Sequence, residues 1–255
     1  MTNITDYNHY NSGMKKSLKD KLFFEGLVDN NIDTFVDFGC ADGQILKQVG
    51  LDFPDWNLIG VDNDDKMIEQ AVINSPNTKF YRNLSEVKNT NDTILNLSSV
   101  IHEVYSYCKP EEIFDFWESV FKKGFKYISI RDLIVSSSTN RPSDINDVIK
   151  INGLESDNQK RLDEFIDIWG NLYTQKNLIH YLLKYRYIEN WDREVRENYL
   201  PLTLEGLLNK IPYTYEVVYF THYILPFTKD IINRDFGIEM KDNTHIKMLL
   251  KRKDI

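Results

Sequence analysis

Asp37, Gly39 and Gly43 stand in the run VDFGCADG, an Asp-x-Gly-x-x-x-Gly spacing between an apolar stretch and a helical pattern. A glycine lets the backbone turn sharply and lets a ligand approach main-chain atoms that a Cβ would block, while a carboxylate accepts hydrogen bonds from a cationic amino group. Nineteen residues past Gly43, Asp62 closes the next apolar stretch, where a carboxylate can accept both hydroxyl protons of a ribose. A glycine turn followed by an acid also marks dinucleotide sites, but their Gly-x-Gly-x-x-Gly fingerprint seats a pyrophosphate on a helix start. Here the second glycine is replaced by Ala41, and the next residue, Asp42, carries a charge that opposes a phosphate. The chemistry that fits is a nucleoside joined to an aminoacyl sulfonium.

These residues need strands and helices to hold them. Met14, Leu18 and Leu22 recur four apart with lysines between them, which predicts an amphipathic helix over residues 11–26. Short apolar runs predict strands at 33–39, 57–62, 78–84, 92–101 and 125–135. Between them, 43–50, 64–74 and 110–123 read as helices; the last has Pro110 and two glutamates in its first turn and Lys122, Lys123 and Gly124 at its end. Strands alternating with helices imply βαβ crossovers and a doubly wound, mostly parallel sheet. The strand-like runs 215–225 and 244–253 bring the sheet to seven strands.

The alternation stops after Val135. Residues 136–210 carry helical patterns rich in aromatic and basic residues, which predicts an inserted helical cap on a core of 33–135 and 211–255, with 1–32 as an N-terminal segment over the site. At 255 residues, 42% hydrophobic and 27% charged, the chain can bury a full core. The first twenty residues lack the apolar stretch of a secretory signal, and no run approaches the ~20 apolar residues of a membrane span, so a cytoplasmic protein without membrane contact is expected. Cys40 and Cys108 are too few for a disulfide framework and lack zinc spacing, so no metal is expected. The net charge of −8 argues against a protein coated in positive charge for non-specific nucleic-acid binding, although a local basic groove would survive that average. No feature sets an oligomeric state.

Asp37 to Gly43, Asp62 and the run NLSSVIHEV resemble the first, second and fourth motifs of class I S-adenosylmethionine-dependent methyltransferases, and the resemblance covers roughly residues 35–135. It implies a Rossmann-like fold with S-adenosyl-L-methionine as cofactor and S-adenosyl-L-homocysteine as product. By the resemblance Asp37, Gly39 and Gly43 hold the methionine part and Asp62 the ribose hydroxyls. Asn63 and Met67 flank the adenine and Asn83 takes its amino group, while Cys40, Ala41, Leu84, Asn96 and Ser98 complete the cofactor contacts. Many members have Gly in place of Ala41 and Asp in place of Asn83. Met67 also suits plain core packing, and Cys40 reads as a small loop residue rather than a nucleophile.

Ser98, Ser99, His102 and Glu103 follow the fourth strand and should sit at the acceptor edge. Methyl transfer is an in-line displacement, so the protein must align the acceptor and, for a weak acid, remove its proton. His102 is the expected base because imidazole titrates near neutrality, with Glu103 beside it; the alternatives are a histidine bonded to backbone and a glutamate paired with a cap arginine. Tyr105 and Tyr107 are expected near the substrate or as apolar shielding, and Arg131 and Asp132 as substrate contacts or buried ion-pair members. Tyr10 or Lys21 could meet the cofactor's carboxylate. The expected reaction is methylation of an O or N atom of a small or medium-sized acceptor beneath the cap. The alternatives are an RNA or DNA methyltransferase using the cap cations Lys184, Arg186, Arg193 and Arg196, and a non-catalytic cofactor-binding module.

Overall fold

The computed structural model describes residues 18–88, 90–153 and 156–254; Tyr10, Met14 and most of the expected N-terminal helix lie outside them. The described elements begin with α1 (Leu18–Lys21), β1 (Thr34–Phe38), α2 (Gln44–Asp52), β2 (Asn57–Val61), α3 (Asp65–Asn74) and β3 (Lys79–Tyr81). Next come β4 (Thr93–Ser98), α4 (Ile101–Tyr107), α5 (Pro110–Lys122) and β5 (Tyr127–Leu133). The chain then runs through α6 (Ile145–Asn152), α7 (Ser156–Trp169), α8 (Gln175–Lys184), α9 (Trp191–Glu194) and α10 (Leu204–Leu208), and closes with β6 (Tyr215–Tyr223), α11 (Pro226–Phe236) and β7 (His245–Arg252).

The seven strands form one sheet in the order β3-β2-β1-β4-β5-β7-β6. β1 to β5 are parallel, while β7 is antiparallel to both β5 and β6. From β1 the chain winds outward through β2 to β3, then returns to lay β4 against the other side of β1. The helices leaving β1 and β4 therefore diverge, and a crevice opens at their carboxyl ends, the usual place for a ligand in an open α/β sheet. Alternation along β1 explains the layering. Phe35 faces a cluster with Phe24, Leu46, Val49 and Tyr127, while its neighbour Val36 faces one with Leu95, Trp117, Val120 and Met248. A third apolar cluster holds the helices of 145–200 together through Val148, Leu162, Phe165, Leu178 and Leu182. Ile232 and Phe236 of α11, a helix not read from the sequence, join it.

All seven strands are shorter than expected, and β3 and β4 each stop three residues before their expected ends for a local reason. β3 stops at Tyr81 because Glu86 Oε1 accepts the backbone N–H groups of Arg82 and Asn83 (3.2 and 3.1 Å), which winds Leu84–Glu86 into a single 3₁₀ turn. β4 stops at Ser98 because Ser99 adopts a left-handed φ of 58°. The Ser99 N–H donates to the Arg131 carbonyl and its hydroxyl accepts from Arg131 Nη1 (2.8 and 3.1 Å), so the chain leaves the sheet there and enters α4. Among the described residues no helix is long and apolar enough to cross a membrane.

Candidate active site

A cavity of about 460 Å³ lies at the carboxyl ends of β1, β2 and β4, within the range of small-molecule sites. Asp62 lines it. The carboxylate is held on both oxygens: Ala41 N–H donates to Oδ2 and Asp64 N–H to Oδ1, each at 2.9 Å. Burial raises its pKa against the pull of those two bonds. Each oxygen keeps a lone pair, so a rigid, already oriented acceptor pair faces the cavity. Asp64 caps α3 by accepting the N–H groups of Lys66 and Met67, which fixes the helix start beside Asp62.

The glycine loop explains itself in this setting. Gly39 lines the cavity at φ 73°, and a Cβ there would meet Val100 Cγ2 at 2.7 Å, so a side chain would need both a strained backbone and a displaced wall. Gly43, at φ 76°, faces away: its Cβ would come within 3.0 Å of Ala71, so this glycine lets the loop pack against α3. Ala41 sits at φ 45°, the left-handed region that favours glycine, which accounts physically for the departure noted in the sequence: the loop path is kept at the cost of local strain.

Gly39, Ala41, Asp62, Asn63, Met67, Asn83, Leu84 and Ser98, all expected at the cofactor, line this one cavity. Ser98 Oγ is buried with no hydrogen-bond partner. Asp37, Cys40, Gly43 and Asn96 stand behind the wall. Asn96 Nδ2 donates to Asp37 Oδ1 (2.8 Å), whereas Asp37 Oδ2 and Asn96 Oδ1 lack partners. Burial pushes the Asp37 carboxyl up to about 7, against the pull of the Asn96 amide and the Lys21 charge. Burial, reinforced by the nearby Asp37 and Asp62 carboxylates, raises the Cys40 thiol far above its ordinary range, which does not suit a nucleophile.

At the acceptor edge the structure separates the expected residues. Glu103 and Tyr107 line the cavity; His102, Tyr105, Arg131 and Asp132 do not. His102 is corrected from the expected base. It is buried, and its Nδ1 lies 2.6 Å from Asp132 Oδ1, while Asp132 also accepts the N–H groups of Ile101 and Leu133 (2.7 Å each). Burial favours the neutral ring, but the Asp132 carboxylate outweighs it and raises the imidazole to about 9. The pair anchors the start of α4 to β5 and keeps His102 out of the cavity lining, away from an acceptor held there. Arg131 is likewise internal, paired with Asp20 (2.9 Å), which also binds Lys247 (2.6 Å) and Tyr223 and so ties α1 to the sheet. Tyr105 accepts from Trp117 Nε1 (3.1 Å) away from the cavity.

The cap arginine paired with Glu103 is Arg193, at 3.1 Å, and it too lines the cavity. Its guanidinium also meets Glu197 (2.6 Å) and Glu194 (3.3 Å), and Tyr107 donates to Glu197 (2.8 Å). Lys184 is buried, gives its ammonium to the carbonyls of Glu194 and Glu197 (2.9 and 2.7 Å), and is lowered to about 7 by burial. Two of the four cap cations thus point inward, not to a phosphate backbone. Val100, Val104 and Phe116 also line the cavity; as isolated apolar residues in helical patterns they carry no sequence signal distinguishing them from core.

No protein-family profile matches the chain. Over 89 residues it is 32% identical to "Putative methyltransferase 235L" of Invertebrate iridescent virus 6; the match covers 35% of this chain and only 32% of that protein's length. Among solved structures, it resembles a SAM-dependent methyltransferase from Archaeoglobus fulgidus at 14% identity (TM-score 0.53, covering 97% of this chain and 100% of the other). It also resembles the plantazolicin methyltransferase BpumL, solved with a pentazolic desmethylPZN analog and SAH, at 12% identity (TM-score 0.51, 97% and 88%). With the strand order and the reversed β7, these likenesses define the fold as that of class I S-adenosylmethionine-dependent methyltransferases.

Proposed function

We propose that the chain is an S-adenosylmethionine-dependent methyltransferase acting on an O or N atom of a small or medium-sized acceptor held between the sheet's carboxyl edge and the helical layer of 136–210. One observation carries the reading: Asp62, clamped by two backbone N–H groups, lines a cavity together with the Gly39 loop at the carboxyl ends of the strands. A fixed pair of carboxylate oxygens suits the diol of a ribose. In this reading Asp62 binds the ribose hydroxyls, and Asn63, Met67, Asn83 and Leu84 surround the base. Gly39 and Ala41 admit the ligand to the backbone, while Asp37, Asn96 and Gly43 shape the wall from behind. The bound cofactor supplies an electrophilic methyl carbon; the protein aligns the acceptor and takes its proton, for which Glu103 is the placed group.

The helical layer bounds the acceptor side through Arg193, and Asp20 ties α1 to the sheet through Arg131. Lys184 and Arg193 are internal, whereas Arg186 and Arg196 are exposed, so at most two of the four cap cations are placed to meet a nucleic-acid backbone. Calorimetry on the folded chain tests the reading. Heat is expected with S-adenosylmethionine and with S-adenosylhomocysteine and none with NAD; a nicotinamide nucleotide that binds while neither sulfur ligand does would end it.

A further inference from the structure

The acceptor edge combines charges in an uneven way. The Arg193 guanidinium is shared by three carboxylates, Glu103, Glu194 and Glu197, and the first of these is the one exposed to the cavity, with 31% of its side chain accessible. The other cations nearby are matched as well. His102 is paired with Asp132, Lys184 is spent on two backbone carbonyls beside Glu194 and Glu197, and buried Lys21 lies among Asp37, Asp132 and Glu103. Arg82, at the far end of the cavity, is paired with Asp65. An anionic acceptor placed here would meet the face of Glu103 and would have to strip Arg193 from its carboxylates, at the cost of leaving buried acids unpaired. A cation meets the reverse situation.

We propose that the methyl acceptor is a nitrogen base, an amine or guanidine that enters as its cation and is held against Glu103, with Arg193 and its carboxylates fixing that glutamate in place. The inference rests on the methyltransferase reading of this cavity and adds the charge class of the substrate. The balance is that of N-methylation. The ammonium gives one proton to Glu103 and thence to water, freeing its lone pair. That pair forms the new N–C bond as the C–S bond breaks, the bonding electrons stay on sulfur, and the sulfonium charge passes to the methylated nitrogen. Glu103 suits the first step because its geometry is set from outside the reaction by Arg193 while its face remains open.

The test is two titrations of the full chain. In the first, S-adenosylhomocysteine is titrated alone; failure here ends the methyltransferase reading itself. In the second, protein saturated with S-adenosylhomocysteine is titrated with n-butylammonium, n-butyrate and inorganic phosphate. Butylammonium should bind with a dissociation constant on the order of 1–10 mM, and the two anions should give no heat. Glu103→Gln should weaken butylammonium by about 5-fold, as expected for one partly exposed charge contact, and Glu103→Asp should recover part of the loss. Phosphate or butyrate binding as tightly as butylammonium, no butylammonium binding to the wild-type complex, or equal binding to folded Glu103→Gln would each overturn the proposal. The comparison of cation with anions on the wild-type chain decides it even if the Glu103 variants do not fold.

Discussion

Replacing Asp62 by Asn isolates the central contact of the proposed cofactor site. The amide keeps the shape of the carboxylate but can accept through only one atom, whereas the structure uses both: Oδ2 for Ala41 N–H and Oδ1 for Asp64 N–H. One backbone donor is left facing an NH₂ group, and the ribose loses a charged acceptor. A hydrogen bond to a charged group is worth about 1.5–3 kcal/mol, so the affinity for S-adenosylhomocysteine should fall by about 10- to 150-fold. The unpaired N–H costs stability by roughly 1–3 kcal/mol, but burial already raises the Asp62 pKa, so removing the charge offsets part of that loss. The affinity change should therefore exceed the stability change. Calorimetry gives the first and urea denaturation the second. The same raised pKa means that wild-type affinity should start to fall, on acidification, at a higher pH than an ordinary carboxylate would give. A folded Asp62→Asn protein with unaltered affinity would remove Asp62 from the site and, with it, the reasoning about the clamp.

Other expectations can be checked on the same material. Gly39→Ala should lower stability by about 2 kcal/mol through its positive φ and the 2.7 Å approach to Val100, and Val100→Ala in the same chain should restore part of this, because it removes the clashing methyl but not the backbone strain; simple additivity of the two would contradict it. The raised imidazole of His102 adds stability that is fully present below pH 6.5 and is lost as pH climbs through about 9, roughly 3 kcal/mol in all; the lowered Asp132 adds stability that disappears only in acid. The stability gap between wild type and His102→Gln should accordingly narrow between pH 6.5 and 9 in parallel denaturation curves, and a gap that widened would reject the ion pair as the cause. Arg193→Met leaves three carboxylates without their guanidinium and should cost about 3 kcal/mol at pH 8 and less at pH 5, where the acids can protonate; a pH-independent loss would point to packing instead.

Most of what lines the cavity was legible along the chain, because it is made within short stretches. The strand-turn-helix at Asp37 to Gly43 and the strand-ending Asp62 are set by alternation, glycine and a spacing of nineteen residues, and the cavity collects them where the strand order reverses. Even there the sequence could not say which glycine faces ligand and which faces helix. Gly39 and Gly43 have nearly the same φ, and only the arrival of Val100 at one and Ala71 at the other tells them apart. The acceptor edge was decided by tertiary structure. His102 and Asp132 are thirty residues apart and Glu103 and Arg193 ninety apart, so whether an imidazole becomes a base or an anchored cation depends on which strand passes behind it. Periodicity and turn chemistry act over a few residues and so determine elements and loops. Charge pairing and burial act through space, and they exist only once the sheet and the helical layer have closed around the cavity.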